Sequence, residues 1–153
     1  MFKKGLIVAL LSVLMAMGMG MNVLAEINVP PVEYDTSKEM TPEIAAIIES
    51  IEKANVKIYT EIEKVQVETN EMYKNYLEEL KITQGEAQKA ALWEKYDSKI
   101  TEKIKSLDMK TQSITKKEVE KAGIAGVTVE VVWITVKFAD REAKIDPMVG
   151  VGW

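Results

Sequence analysis

The sequence predicts a mainly α-helical α+β protein: an antiparallel helical hairpin, a short third helix and a C-terminal β-strand or hairpin. Three observations carry that prediction. Residues 44–76 place apolar side chains at steps that alternate between four and three. Residues 82–87 combine the signals of a turn with those of a fresh helix start. After Gly126 the composition switches abruptly to β-branched and aromatic residues. A helical period, a break and then a strand period describe helices packed on a small sheet. The organisation expected is a secretory signal over 1–25, an extended segment over 26–40, helices over 41–123 and a β segment over 124–153, with 26–153 forming one domain.

Helix one opens at Thr41, a good N-cap, followed by Pro42 at the first helical position and Glu43 near the positive helix end. Positions 44, 48, 51, 55, 58, 62, 65, 69, 72 and 76 then read Ile, Ile, Ile, Asn, Ile, Ile, Val, Thr, Met and Tyr. A repeat averaging 3.5 residues marks helices wound around each other. Ile47, Ala54, Tyr59, Tyr73 and Leu80 widen the stripe. Asn55 and Thr69 interrupt it. A seam Asn either fixes register and oligomer state or sits at a wet edge where polarity costs little.

Helix two begins at Thr83 and Glu86, which have capping-box spacing, with Ile82 and Ala87 placed as a hydrophobic staple. It runs to about Met109. Its lysines, including Lys95, Lys99, Lys103 and Lys110, balance an acidic helix one, and the short turn makes the two antiparallel neighbours. Thr115 and Glu118 form another capping-box spacing, which opens the short third helix, and Gly123 closes it in a Schellman cap. On this reading the helices are unequal, about 58 Å for 42–80 and about 36 Å for 86–109. The stripe from Ile44 to Ile58 is then short of cover by roughly 20 Å of helix. Ile44, Ile47, Ile48, Ile51, Asn55 and Ile58 are therefore candidate partner-binding residues.

Val127 to Phe138 reads as one strand, unusual in that Val131 to Ile134 is apolar on both faces. Residues 139–142 suit a turn, and a return strand from Ala143 to Ile145 meets Pro147. Pro30 and Pro31 force an extended path near the start of the mature chain, where Ile27, Val29, Val32 and Tyr34 can pin it to a sheet or groove.

Export is expected from the first 25 residues, where Lys3 and Lys4 precede an uncharged apolar run and Val23-Leu24-Ala25 forms a cleavage site before Glu26. The 153 residues contain no cysteine and no histidine. That removes disulfides, thiol nucleophiles, Cys- or His-ligated zinc and every His-dependent triad. Of the 20 basic residues two leave with the signal, so 18 basic against 24 acidic residues give the mature chain a net charge of −6. That balance, with no basic recognition motif, argues against nucleic-acid binding.

Paired carboxylates are the only acid–base equipment left, and on helices they read as solvated surface. Asp140, Glu142 and Asp146 cluster near the turn as weak candidates for oxygen ligands to calcium, without EF-hand spacing. No cofactor is expected. Trp93 and Trp133 suit core packing, while Trp153 docks either on the sheet or on a partner, making Trp133 and Trp153 further candidates at a partner surface. The expected function is a non-enzymatic binding or scaffold protein of the bacterial envelope or exterior. It would self-associate or hold another envelope protein, with contact to a membrane surface possible. Two alternatives stand beside it: a membrane-active protein that inserts an amphipathic helix or the C-terminal hairpin, and a small wall-acting hydrolase using paired carboxylates.

Overall fold

Thr41 starts the first helix as its sequence requires. Its backbone is extended, and its hydroxyl accepts a hydrogen bond from the Ile44 amide at 3.2 Å. The computed structural model describes residues 28–153, so the expected signal and its cleavage site lie outside the described residues. The elements in order are β1 (Glu33–Tyr34), α1 (Pro42–Ile82), α2 (Glu86–Ile124), β2 (Thr128–Val131), β3 (Ile134–Phe138), β4 (Arg141–Ile145) and β5 (Met148–Gly152).

The α1 seam is the buried face of the molecule. Ile48, Ile51, Asn55, Ile58, Ile62, Val65 and Thr69 are all buried, and Ile47, Ala54 and Tyr59 join them. Antiparallel pairing of α1 with α2 is fixed by cross-helix contacts that descend one helix as they climb the other. Lys103 bridges to Glu68 at 2.8 Å and Lys110 to Glu61 at 2.6 Å, while Glu118 accepts from the Ser50 hydroxyl at 2.7 Å. Two lysines of the expected stripe, Lys103 and Lys110, therefore meet acids of helix one.

The short third helix does not exist as a separate element. α2 runs unbroken for 39 residues, close to the 41 of α1. Thr115 does not cap anything. It lies buried inside α2, and its hydroxyl donates to the Asp146 carbonyl at 2.8 Å. A Thr-x-x-Glu spacing inside a helix is indistinguishable in sequence from one at its start. The Schellman motif is present three residues later than expected. Gly126 takes φ +73, Gly126 N–H bonds to Gly123 O at 3.1 Å and Val127 N–H to Ala122 O at 2.9 Å. At the other end Thr83 closes α1, donating to Glu79 O through both its amide and its hydroxyl, rather than opening α2. Gly85, with no side-chain cap, precedes α2 instead.

With helices of nearly equal length, the stripe expected to lack cover is covered. Ile51 and Ile58 are fully buried, Ile47 and Ile48 nearly so, and Ile44 packs partly buried against the same cluster. That cluster draws on Val32, both helices and strands β2 to β5.

The expected single strand over 127–138 is two strands, and the break explains its two-faced middle. In β2 the odd positions Val129 and Val131 turn inward while Thr128 and Glu130 are exposed. In β3 the even positions Val136 and Phe138 are buried while Thr135 and Lys137 are exposed. The inward parity flips between Val131 and Ile134, so two ordinary one-sided strands overlap into a run that looks apolar on both sides. The return limb does the same, with β4 and β5 separated at Asp146-Pro147. Pairing runs from Thr128 opposite Gly152 to Phe138 opposite Arg141, with a register shift at Glu130/Val131 and a Val132 N–H to Pro147 O bond across the break. One long kinked hairpin thus makes both sheets. β1 adds in parallel to β5, giving the order β1-β5-β2 beside the two-stranded β3-β4 sheet.

Candidate functional site

A groove of about 480 Å³ lies between α2 and β4. The helix supplies Thr101, Lys105, Asp108 and Gln112 at steps of four, three and four along one face, with Ile104 beside them. The strand supplies four consecutive residues, Arg141 to Lys144. Trp133 closes the groove from the kink between β2 and β3 with 56% of its surface exposed.

Both strand edges of this hairpin face helices, but they are not alike. On β3, the Lys137 carbonyl accepts from Gln66 Nε2 of α1 at 3.0 Å. β4 pairs only with β3 among the strands. An edge strand leaves alternate N–H and C=O groups without partners.

The groove's upstream end is locked by Arg141. Its guanidinium meets Asp97 at 2.9 Å, Thr101 Oγ1 at 3.0 Å and Asp140 Oδ1 at 3.1 Å, and lies 5.7 Å from the centre of the Tyr96 ring. Tyr96 Oη donates to Asp140 at 2.7 Å. Desolvation pushes the Asp140 carboxyl up, but the hydrogen bonds from Arg141 and Tyr96 outweigh it and hold the group below the ordinary aspartate value. The Tyr96 phenol is driven well up by desolvation, then by its bond to that carboxylate. Tyr96 also stacks on Tyr76 with centroids 4.7 Å apart, within an aromatic group that includes Tyr73 and Trp93. These contacts fix the β3-β4 turn to α2.

The downstream end is held by the link between β4 and β5. Asp146 is buried there, and its Oδ1 has no hydrogen-bond partner among the described residues. Burial raises its pKa above the ordinary aspartate value, the nearby Asp108 charge adds to that, and the Thr111 and Thr115 hydroxyls oppose it.

The three acids expected to cluster are therefore separated. Asp140 is spent on Arg141 and Tyr96, Glu142 is exposed on β4, and Asp146 is buried at the far end. Among the described residues no group of three acids is placed to hold a metal ion. Ile47, Ile48, Ile51, Asn55 and Ile58 lie in the core rather than on a free face. Asn55 is neither at a wet edge nor at a helix–helix seam; it grips the backbone of Met148. Trp133 and Trp93 are substantially exposed rather than core residues. Trp153 docks on the chain itself, donating from Nε1 to Glu39 O at 3.2 Å, with its terminal carbonyl accepting from Lys38 Nζ and its ring 6.2 Å from that of Tyr34.

No match is found. That holds for protein-family models, for curated proteins and for solved structures alike. The groove must be interpreted from its own chemistry. Its polar lining is Thr101, Lys105, Asp108, Gln112, Arg141, Glu142 and Lys144, set around the apolar Ile104, Ala143 and Trp133. Sequence reading did not find it, although Trp133 at the centre of a two-faced apolar run was the signal. Among the described residues no helix is long and apolar enough to cross a membrane.

Proposed function

We propose that this protein is a non-enzymatic binding protein of the bacterial envelope or exterior, and that it holds a partner polypeptide in the groove between α2 and β4. The helical hairpin is the scaffold rather than the contact surface, because its apolar stripe is covered by the chain's own strands and second helix. The single observation that supports this reading most is the exposed Trp133 at the mouth of a groove walled by α2 and β4. Exposed large aromatics in concave, rigid surroundings are the usual anchors of polypeptide recognition. Export rests on the basic and apolar segment before Glu26. Self-association loses its main motive once the Ile44 to Ile58 stripe is covered.

The test is selection of a phage-displayed library of linear dodecapeptides on purified 26–153, with Trp133→Ala as counter-selection. The reading predicts sequences retained by the native chain and lost from the variant. Retention of no peptide, alongside specific retention of soluble wall glycans, would replace it with a glycan-binding reading of the same groove.

A further inference from the structure

Asp146 lies where β4 passes into β5, the point at which the return limb of the hairpin changes sheet. It is 5% exposed, and its Oδ1 has no hydrogen-bond partner among the described residues. Three bonds close the junction around it. Thr115 Oγ1 donates to Asp146 O at 2.8 Å, Val132 N–H donates to Pro147 O at 3.2 Å, and Asn55 Oδ1 accepts from Met148 N–H at 3.1 Å. Consecutive residues of the link are thus tied to α2, to the kink beside Trp133 and to α1. We propose that Asp146 is a proton-operated latch: as a neutral acid it keeps this junction closed, and on ionising it releases the junction and the kink that carries Trp133.

The hydrogen bonding around the carboxyl suits a neutral acid. The Thr111 and Thr115 hydroxyls adjoin it. Their protons are directed elsewhere, to Asp108 O at 3.1 Å and to Asp146 O at 2.8 Å. A hydroxyl whose proton is committed can still accept. A neutral carboxyl donates to one of them and leaves only an uncharged carbonyl oxygen without a partner. A carboxylate has no proton to give, and its buried, charged Oδ1 finds no donor, which costs more.

The surrounding charges agree. α2 brings Asp108, whose like charge opposes ionisation, and burial acts in the same direction more strongly. Lys105 of α2 and Lys144 of β4 line the groove, but no salt bridge joins either to Asp146. Neither β5 nor the kink residues Val132 and Trp133 carry a charge. Glu130 of β2 is exposed opposite Gly150, Glu118 of α2 accepts from Ser50, and α1 reaches the junction through the uncharged Asn55. An opened junction lets water solvate the carboxylate, so opening is favoured as pH rises. The latch is a property of the free chain and does not depend on what the groove holds.

The experiment is amide hydrogen exchange by nuclear magnetic resonance on 15N-labelled 26–153 across pH, with rates corrected for the intrinsic pH dependence of exchange. A 13C titration of the Asp146 carboxyl accompanies it. The latch predicts that opening at the Val132 and Met148 amides grows by up to about tenfold per pH unit between 3.8 and the folded-state transition of Asp146, then levels off. The indole resonance of Trp133 moves through the same transition. Above it, the two junction amides open at least about tenfold more often than the Ile58 amide in the middle of α1. In Asp146→Asn the junction amides and the indole lose this pH dependence. A carboxyl that titrates at or below 3.8 would overturn the proposal. Equal opening at Val132, Met148 and Ile58 would also overturn it, because the junction would then open only when the whole chain unfolds. Both readouts come from the native chain and decide the matter even where the variant does not fold.

Discussion

The side chain of Asn55 holds the backbone of Met148 from both sides: Nδ2 donates to Met148 O at 2.6 Å, and Oδ1 accepts from Met148 N–H at 3.1 Å. Both residues are buried, at 1% exposure each. An asparagine amide carries a donor and an acceptor in the same plane, as a neighbouring strand does, so Asn55 acts as a one-residue strand offered by the helix to the start of β5. It ties the middle of α1 to the point where the return limb of the hairpin changes sheet.

Replacing Asn55 therefore removes two hydrogen bonds and leaves a buried N–H and C=O without partners. Asn55→Ala is expected to destabilise the fold by about 2–4 kcal/mol. Asn75→Ala, on the exposed side of the same helix, is expected to change stability by no more than about 0.5 kcal/mol. Urea unfolding of the two variants side by side checks this, with unchanged m-values confirming that only stability moved.

Asp146 gives a pH dependence of definite sign. Burial raises its folded-state pKa above the ordinary value of 3.8. The folded chain then binds that proton more tightly than the unfolded chain. Its contribution to stability is complete below 3.8 and is lost as pH rises through the higher folded value. Asp146→Asn removes that loss and is expected to be more stable than the native chain at pH 7 by about 1 kcal/mol. The difference should shrink as the pH is lowered toward the ordinary aspartate value. Thermal melts of both proteins across that range measure it.

Alanine is poorly suited to the first position of the β3-β4 turn, because Ala139 sits there at φ 52 in the left-handed region. Left-handed backbone costs an L-residue about 1–2 kcal/mol. Glycine avoids that cost but gives back part of it through a freer unfolded chain. Ala139→Gly is expected to stabilise by about 0.5–1 kcal/mol, read as a higher melting temperature.

Tyr96→Phe keeps the stack on Tyr76 and removes only the hydroxyl that donates to Asp140. Its expected cost is about 1 kcal/mol. Hydrogen exchange should quicken around the β3-β4 turn and α2 near Thr101, and stay unchanged in the β1-β5-β2 sheet.

Much of this architecture is legible in the sequence. The α1 cap at Thr41, the seam from Ile48 to Thr69, the antiparallel return of α2 and the C-terminal hairpin all follow from local period and charge, which a sequence displays directly. The failures share one cause. Thr115 and Glu118 satisfy a capping pattern, yet Thr115 is drawn into the core by the Asp146 carbonyl some 31 positions away. Asn55 breaks a hydrophobic seam for the sake of Met148, a partner 93 positions away. A polar residue whose partner is remote leaves no local signature. The groove was hidden for the same reason, since it is made by α2 and β4 meeting, and only the parity flip around Trp133 marked its place.

The measurement that tests the central claim most directly is site-specific photo-crosslinking in cells that naturally make the protein. Benzoylphenylalanine is placed at position 105 or 144 in the groove, at position 82 on the hairpin tip, and at position 124 at the end of α2. The account predicts a discrete crosslinked polypeptide from 105 and 144, absent from 82 and 124. Crosslinks from position 82 alone, with the groove positions silent, would contradict it and move the binding surface to the tip of the hairpin.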